Sequence, residues 1–166
     1  MVKKLLYISL AALALMAGRS FAGTCSYGGA HYVLDGDPNI QASFKTIPRY
    51  DGWLSDVALE ITANNGRNKL WFLFDQGNSP HINMISTTDM DVKDWSPPSH
   101  DGGKRPYGET QYLSANKNYK FLADTVPQST QTAPDKILIP DLSNILFMAY
   151  RRGDVRHAFF ELKSCK

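Results

Sequence analysis

Hydrophobic and polar residues alternate over residues 53–62, where the odd-numbered positions carry Trp, Ser, Val, Leu and Ile and the even-numbered ones are largely polar. A period of two is typical of a β-strand with one buried face and one solvated face. Residues 69–75 are apolar on both faces, and they follow residues 64–68, which are rich in Asn and Gly. Because such residues tolerate the positive φ angles of tight turns, the two runs predict a β-hairpin.

Shorter runs of the same kind predict further strands. They lie at residues 31–34, 40–47, 81–86, 119–123 and 136–139, and turn-forming clusters at 35–39 and 76–80 separate several of them. No internal repeat and no shift in composition divides this part of the chain, which indicates a single domain. Seven or more strands in a domain of this size predict a mainly β fold, either an antiparallel β-sandwich or a barrel.

Residues 141–152 fit two structures. Asp141 precedes apolar residues spaced three and four apart, and two arginines end the run, which is the pattern of a capped amphipathic helix. Residues 145–150 also form a short apolar run that a turn at 152–154 would lead into a last strand over 155–162. We favour the hairpin, because it returns the end of the chain to the sheet, and one short C-terminal helix is the alternative.

The first 22 residues have the order of an export signal, with two lysines, the apolar run 5–17 and a small-residue exit at 20–22. The apolar run is too short to span a hydrocarbon layer of about 30 Å comfortably. We therefore expect residues 1–22 to be a cleavable signal peptide and residues 23–166 to form one β-rich domain. The expected location is the periplasm or the secreted fraction, with no integral membrane segment after signal removal.

Charge changes the list of expected partners. Removal of the signal takes Lys3, Lys4 and Arg19 with it, so the formal net charge falls from +2 to −1. A nearly neutral domain with interspersed charges gives no electrostatic reason to expect nucleic acid as a partner, and no polybasic run indicates binding to a membrane surface.

The two cysteines, Cys25 and Cys165, lie at opposite ends of the expected mature chain. In an oxidising compartment a single pair is typical of one disulfide bond. Their separation does not match the Cys-x-x-Cys spacing of redox-active thiols. We therefore expect a structural disulfide that joins the termini, with Cα atoms roughly 4.4 to 6.8 Å apart. The first and last elements should then be neighbours in or beside one sheet.

Residues 94–109 break the strand rhythm and form the candidate binding loop. Three prolines stiffen this loop, which lowers the entropy lost on binding, and aromatic and arginine side chains are typical of binding hot spots. The candidate binding residues are Trp95, His100, Asp101, Lys104, Arg105 and Tyr107. In the alternative interpretation, Trp95 tucks beneath the loop and the charges are merely solvated. A second loop, 124–135, is polar and is expected to be a flexible surface excursion.

No motif assigns a catalytic or metal site. The four histidines, His31, His81, His100 and His157, are isolated in sequence and match no zinc-ligand spacing. No Gly-x-Ser-x-Gly elbow supplies a nucleophile. We therefore expect no catalytic residue, no metal and no cofactor, and we favour a protein that is not an enzyme.

An exported single domain of this size without a catalytic signature resembles the bacterial periplasmic inhibitors and immunity proteins in its organisation. The resemblance implies a protein-binding module that reaches an envelope enzyme or toxin through a surface loop, and it assigns no residue. The first alternative is an envelope hydrolase whose site forms from dispersed residues such as His81, His100, Asp101 and Glu109. The second is a structural or assembly component that recruits another chain through an exposed sheet edge.

Overall fold

The computed structural model describes residues 24–64 and 66–166, so the predicted signal peptide, residues 1–22, lies outside the described residues. Nine strands and one α-helix are found in the described part of the chain. The strands are β1 (Ala30–Leu34), β2 (Asp37–Thr46), β3 (Val57–Ala63), β4 (Asn68–Asp75), β5 (Asn83–Thr87), β6 (Glu109–Gln111), β7 (Leu113–Ala115), β8 (Lys136–Leu138) and β9 (Phe160–Cys165). A 3₁₀ turn (Tyr27–Gly29) precedes β1, and helix α1 (Leu142–Tyr150) lies between β8 and β9.

All nine strands belong to one antiparallel sheet in the order β6-β5-β4-β3-β2-β1-β9-β8-β7. The two end strands, β6 and β7, are separated in sequence only by Tyr112, whose backbone N–H donates to the carbonyl of Ile82 at 2.9 Å. One bent segment therefore pairs with β5 through its first half and with β8 through its second half. The sheet is nearly closed, which confirms the mainly β, antiparallel fold and selects the barrel form over the sandwich.

The interior of the sheet is filled by side chains, as expected for a small barrel. Its centre is aromatic: the ring of Phe44 lies 4.7 Å from that of Tyr27, 5.7 Å from that of Phe74 and 6.3 Å from that of Tyr112. The hydroxyls of Tyr27 and Tyr112 are hydrogen-bonded to each other at 3.1 Å. Burial raises the pKa of Tyr112 well above its usual value, so this pair is a neutral hydrogen bond between buried phenols.

The outer face of the sheet carries a second hydrophobic cluster, formed by Trp53, Ala58, Trp71, Leu73 and Ile85. We call it the outer cluster. Residues of β4 alternate between the two cores, which explains why residues 69–75 are apolar on both faces. The predicted hairpin is confirmed over β3 and β4, with the odd-numbered residues of β3 in the interior. The first strand begins at Val57 rather than at residue 53, and Trp53 packs in the outer cluster.

The hairpin that we favoured for residues 141–152 is wrong, and the helix alternative is correct. Leu142, Ile145 and Leu146 are buried at helical spacing, which places one apolar stripe of α1 against the interior core. The helix ends at Tyr150 and is capped by Arg151, which has a φ of 58° and donates its N–H to the carbonyl of Phe147 at 2.8 Å. The following strand begins only at Phe160, so the predicted strand at 155–162 is wrong over its first half.

Two further differences concern short segments around the closure. The predicted strand at 119–123 is instead the second half of a turn that begins after β7, and within it only Phe121 forms a β-bridge, with Ala115. Strands β6 and β7 were not predicted, because three residues show little alternation and neither strand has an apolar run like the one at 136–139 that located the equally short β8.

The disulfide prediction is confirmed. Cys25 and Cys165 are bonded, and their Cα atoms are 5.6 Å apart. Strand β1 pairs with β9, with Ala30 opposite Cys165, so the ends of the described chain are neighbours in one sheet. A Cβ added at Gly29 would collide with the Lys166 carbonyl oxygen, so this close approach requires glycine.

We expect the double variant Cys25→Ser/Cys165→Ser to keep its far-UV circular dichroism but to lose roughly 2–5 kcal/mol of unfolding free energy, because the unfolded chain gains loop entropy. Urea denaturation measures this loss. Reducing agent should lower the stability of the wild type to that of the variant and leave the variant unchanged. Equal stability of the variant and the oxidised wild type would contradict the stabilising role.

Candidate functional site

The predicted binding loop, residues 94–109, lies over the outer cluster. Trp95 is half-buried there, and its ring is 5.8 Å from that of Tyr50. The indole N–H of Trp53 donates to the carbonyl of Pro98 at 3.1 Å. These contacts anchor the loop to the sheet, so the indole of Trp95 serves packing in this structure.

The other predicted loop residues divide into anchors and exposed groups. Arg105 donates to the carbonyl of His100 at 2.8 Å and forms an ion pair with Glu109, and the Tyr107 N–H donates to the Ser86 hydroxyl at 2.9 Å. The exposed side chains are those of His100, Asp101 and Lys104. The loop therefore presents polar groups to solvent, while the aromatic side chains among its six candidates are half-buried.

An exposed apolar surface lies elsewhere, on the turn after β7 and the residue before β9. Its members are Tyr119, Phe121 and the half-buried Phe159, and we call it the aromatic face. Tyr119 and Phe121 are 55% and 53% exposed, and Leu122, the next residue along the chain, is 44% exposed. The ring of Phe159 is 5.3 Å from that of Tyr119 and 6.1 Å from that of Phe121, so the patch is contiguous. Contiguous exposed apolar patches are typical of interaction sites, whereas single exposed residues are not.

The turn that carries the aromatic face is tightly hydrogen-bonded. The side-chain oxygen of Asn116 accepts from the N–H groups of Asn118 and Lys120 at 2.9 and 3.1 Å. The Lys117 N–H donates to the carboxylate of Asp135 at 2.8 Å, which ties the turn to the segment before β8. Tyr119 has a φ of 62°, a left-handed conformation that is unfavourable for a bulky residue and that the surrounding bonds maintain.

Charged groups surround the aromatic face. The ammonium of Lys136 lies 4.3 Å from the Tyr119 ring centroid and 2.6 Å from Glu161, and Lys163 lies 2.8 Å from the same carboxylate. Hydrogen bonds from Lys136 and Lys163 lower the pKa of Glu161 from 4.5 to about 2. Lys117 and Lys120 are exposed and have no carboxylate partner within 4 Å in the described part of the chain. The rim of the aromatic face is therefore basic.

The histidines do not form a joint site. His81 lies 3.0 Å from Asp124, His100 lies 3.2 Å from Asp101, and Glu109 is paired with Arg105 instead. Of the four residues of the hydrolase alternative, only His100 and Asp101 are paired with each other, whereas His81 and Glu109 have other partners. Within residues 24–64 and 66–166, no group of three or more His, Cys, Asp or Glu side chains is arranged to hold a metal ion.

One hydroxyl–imidazole pair exists, but it lacks the rest of a catalytic arrangement. The His31 Nδ1 atom lies 2.8 Å from the Ser43 hydroxyl across β1 and β2. Burial, followed by the charges of Lys166 and Lys45, lowers the pKa of His31. No carboxylate orients this imidazole among the described residues, so the third member of a triad is not present there.

The aromatic face was not identified from the sequence, because its residues fell inside two predicted strands. Asn116 and Asn118 gave a signal that could have found it, since Asn-rich segments favour turns and left-handed backbone. A turn at 116–119 would have placed Tyr119 at an exposed tip.

Comparison with known proteins gives no relative. No protein-family model matches the chain, and neither a curated protein nor a solved structure shows significant similarity to it. Across the described residues, no helix combines the length and the apolar character needed to cross a membrane. The surfaces described above therefore carry the functional proposal.

We expect Trp95→Ala to lower the unfolding free energy by about 1–3 kcal/mol, because the contact with Tyr50 and the outer cluster is lost. Lys104→Ala, an exposed change in the same loop, should cost less than about 0.5 kcal/mol. Urea denaturation followed by far-UV circular dichroism makes the comparison. Equal, negligible effects would remove the packing role of Trp95.

Glu161 should make stability fall in acid. Its pKa is lowered in the folded protein, so the stability that it contributes is present above pH 4.5 and is lost as the pH falls towards about 2. Thermal unfolding between pH 7 and pH 2 should show a smaller decrease for Glu161→Gln than for the wild type. Identical pH profiles would contradict the assignment of this ionic network.

Proposed function

We propose that the protein is an exported protein-binding module of the inhibitor or immunity type, which neutralises an envelope enzyme or toxin. The observation that carries this proposal is the aromatic face, a contiguous exposed cluster on a tightly bonded turn. Large aromatic side chains are enriched among the residues that dominate binding energy at protein interfaces.

The arrangement of the turn supports binding rather than packing. Hydrogen bonds to Asn116 and Asp135 fix the turn, so little conformational entropy remains to be lost when a partner docks. Tyr119 and Phe121 are more than half exposed, although a turn in contact with water does not require large aromatic side chains. An inhibitor with a rigid aromatic turn would likewise lose little conformational entropy on binding.

The rim defines the chemistry of the partner. Four lysines, Lys117, Lys120, Lys136 and Lys163, lie in or beside the aromatic face, against the carboxylates of Glu161 and Asp135. An apolar centre with a basic rim is complementary to a partner surface that has an apolar pocket bordered by Asp and Glu. The partner of this proposal is therefore an acidic envelope protein.

The predicted loop at 94–109 remains a second part of the proposed contact surface. Its exposed groups, His100, Asp101 and Lys104, are polar and suit a rim rather than a buried centre. The hydrolase and assembly alternatives have less support. The dispersed histidines do not meet, and the sheet ends in the three-residue strands β6 and β7, which offer little edge for strand addition.

Capture from a periplasmic extract tests the proposal. The wild type should retain one acidic partner in stoichiometric amount, and Tyr119→Ser/Phe121→Ser should weaken the affinity for the purified partner by at least about 30-fold, as loss of two hot-spot residues does. The matched control is Leu54→Ser/Val92→Ser, which removes apolar residues of similar exposure outside the aromatic face. This control should bind like the wild type.

Two further variants complete the experiment. His100→Ala/Lys104→Ala separates the loop from the aromatic face, and we expect it to change affinity by less than about fivefold, as rim residues do. Melting temperatures within about 3 °C of the wild type confirm that each variant is folded. Undiminished capture by the folded Tyr119→Ser/Phe121→Ser variant would refute the aromatic face as the contact surface.

A further inference from the structure

A polar groove of about 900 Å³ lies beyond the C-terminal end of α1. One wall is the β3–β4 turn, with Asn64, Arg67 and Asn68, and the other is the segment from Tyr150 to Asp154. The groove is separate from the aromatic face in its lining residues, and neither the candidate loop nor the outer cluster contributes to it.

Arg152 builds the groove. Its guanidinium forms an ion pair with Asp37, lies 3.4 Å from Asp154 and reaches the side-chain oxygen of Asn64 at 3.5 Å. It is only 19% exposed, so its charge is largely used to join β2, the β3–β4 turn and the segment after α1. The turn predicted at 152–154 falls in this segment, where the Arg152 and Asp154 side chains are in contact with each other.

Arg67 and Arg151 have no such partner. Both are exposed, and neither has a carboxylate within 4 Å in the described part of the chain. The Arg151 guanidinium lies 5.6 Å from the Phe147 ring centroid, which orients it by a cation–π contact. The groove therefore offers two guanidinium groups whose hydrogen-bonding forks are unused.

Negative groups do not cancel this charge. Asp154 is the acidic side chain of the lining, and it is already in contact with Arg152. A helix C-terminus carries partial negative charge, but the carbonyls of Phe147 and Leu146 accept from the N–H groups of Arg151 and Arg152 at 2.8 and 3.4 Å. Two carbonyls of the last turn are therefore capped, and the charge of about −0.5 that a helix C-terminus carries is smaller than the two full positive charges of Arg67 and Arg151.

The rest of the lining favours a ligand with hydroxyl groups. Asn39, Asn64 and Asn68 place amides in the groove, and each amide can donate to and accept from a sugar hydroxyl. Guanidinium forks bind carboxylate and phosphate oxygens in pairs. We propose that this groove binds an anionic saccharide, with Arg67 and Arg151 on its acidic group and the asparagine amides on its hydroxyls.

Calorimetric titration with a trisaccharide of galacturonic acid tests this site. Arg67→Ala/Arg151→Ala should weaken binding by at least about tenfold, because two charge-assisted contacts are lost. Arg152 is left unchanged, since its removal would disturb the fold. The matched control, Lys93→Ala/Lys104→Ala, removes two exposed cations outside the groove and should bind like the wild type.

Three comparisons define the ligand class. A neutral trisaccharide of the same length should bind at least about tenfold more weakly than the acidic one, and raising NaCl from about 50 mM to about 300 mM should weaken binding of the acidic one. Glucose 6-phosphate should bind more tightly than inorganic phosphate, because only the sugar engages the asparagines.

Inorganic phosphate binding as tightly as glucose 6-phosphate would overturn the saccharide assignment, and undiminished binding by Arg67→Ala/Arg151→Ala would overturn the site. Tyr119→Ser/Phe121→Ser should bind the trisaccharide normally, which keeps this test independent of the proposed protein partner.

Discussion

Tyr112 occupies the point at which the sheet closes on itself. Its backbone remains bonded to Ile82, beside β5, while the residues after it turn to pair with β8. Its ring packs on Phe44 and Phe74, and its hydroxyl meets that of Tyr27. A barrel closes when the strands at its two ends are joined. Here one bent segment pairs with both β5 and β8, and the buried ring of Tyr112 fixes the bend.

Closure determines what the other aromatic residues do. The interior takes Phe44, Phe72, Phe74 and the tyrosines around Tyr112, and the outer cluster takes Trp53 and Trp71, with Trp95 packed against it. The aromatic face receives no such cover, although its turn is anchored to the segment before β8 by the carboxylate of Asp135. Because the protein covers apolar surface on both sides of its sheet, an uncovered aromatic cluster is the feature that indicates a binding site for a partner.

Local patterns predicted the parts of the fold that they control. Alternation and apolar runs located β1 to β5, which are at least five residues long, and the run at 136–139 located β8. The paired cysteines correctly placed β1 beside β9. The closing strands and the exposure of Tyr119 depend on contacts between distant segments, such as Lys117 with Asp135, which leave no period in the sequence. The helix was misassigned because the apolar residues from Ile145 to Tyr150 fit both the helical period of 3.6 and the strand period of two. The contacts of Leu142, Ile145 and Leu146 with the interior core decide for the helix. For the candidate loop, composition alone did not distinguish aromatic residues that bind from aromatic residues that pack.

Amide hydrogen exchange, measured on the protein alone and bound to its captured partner, tests the central claim most directly. If the aromatic face is the main contact surface, residues 116–122 and the start of β9 should gain the most protection in the complex, and residues 94–108 should gain less, as a rim does. Protection confined to residues 94–108, with unchanged exchange at 116–122, would contradict the account and assign binding to the loop that covers the outer cluster.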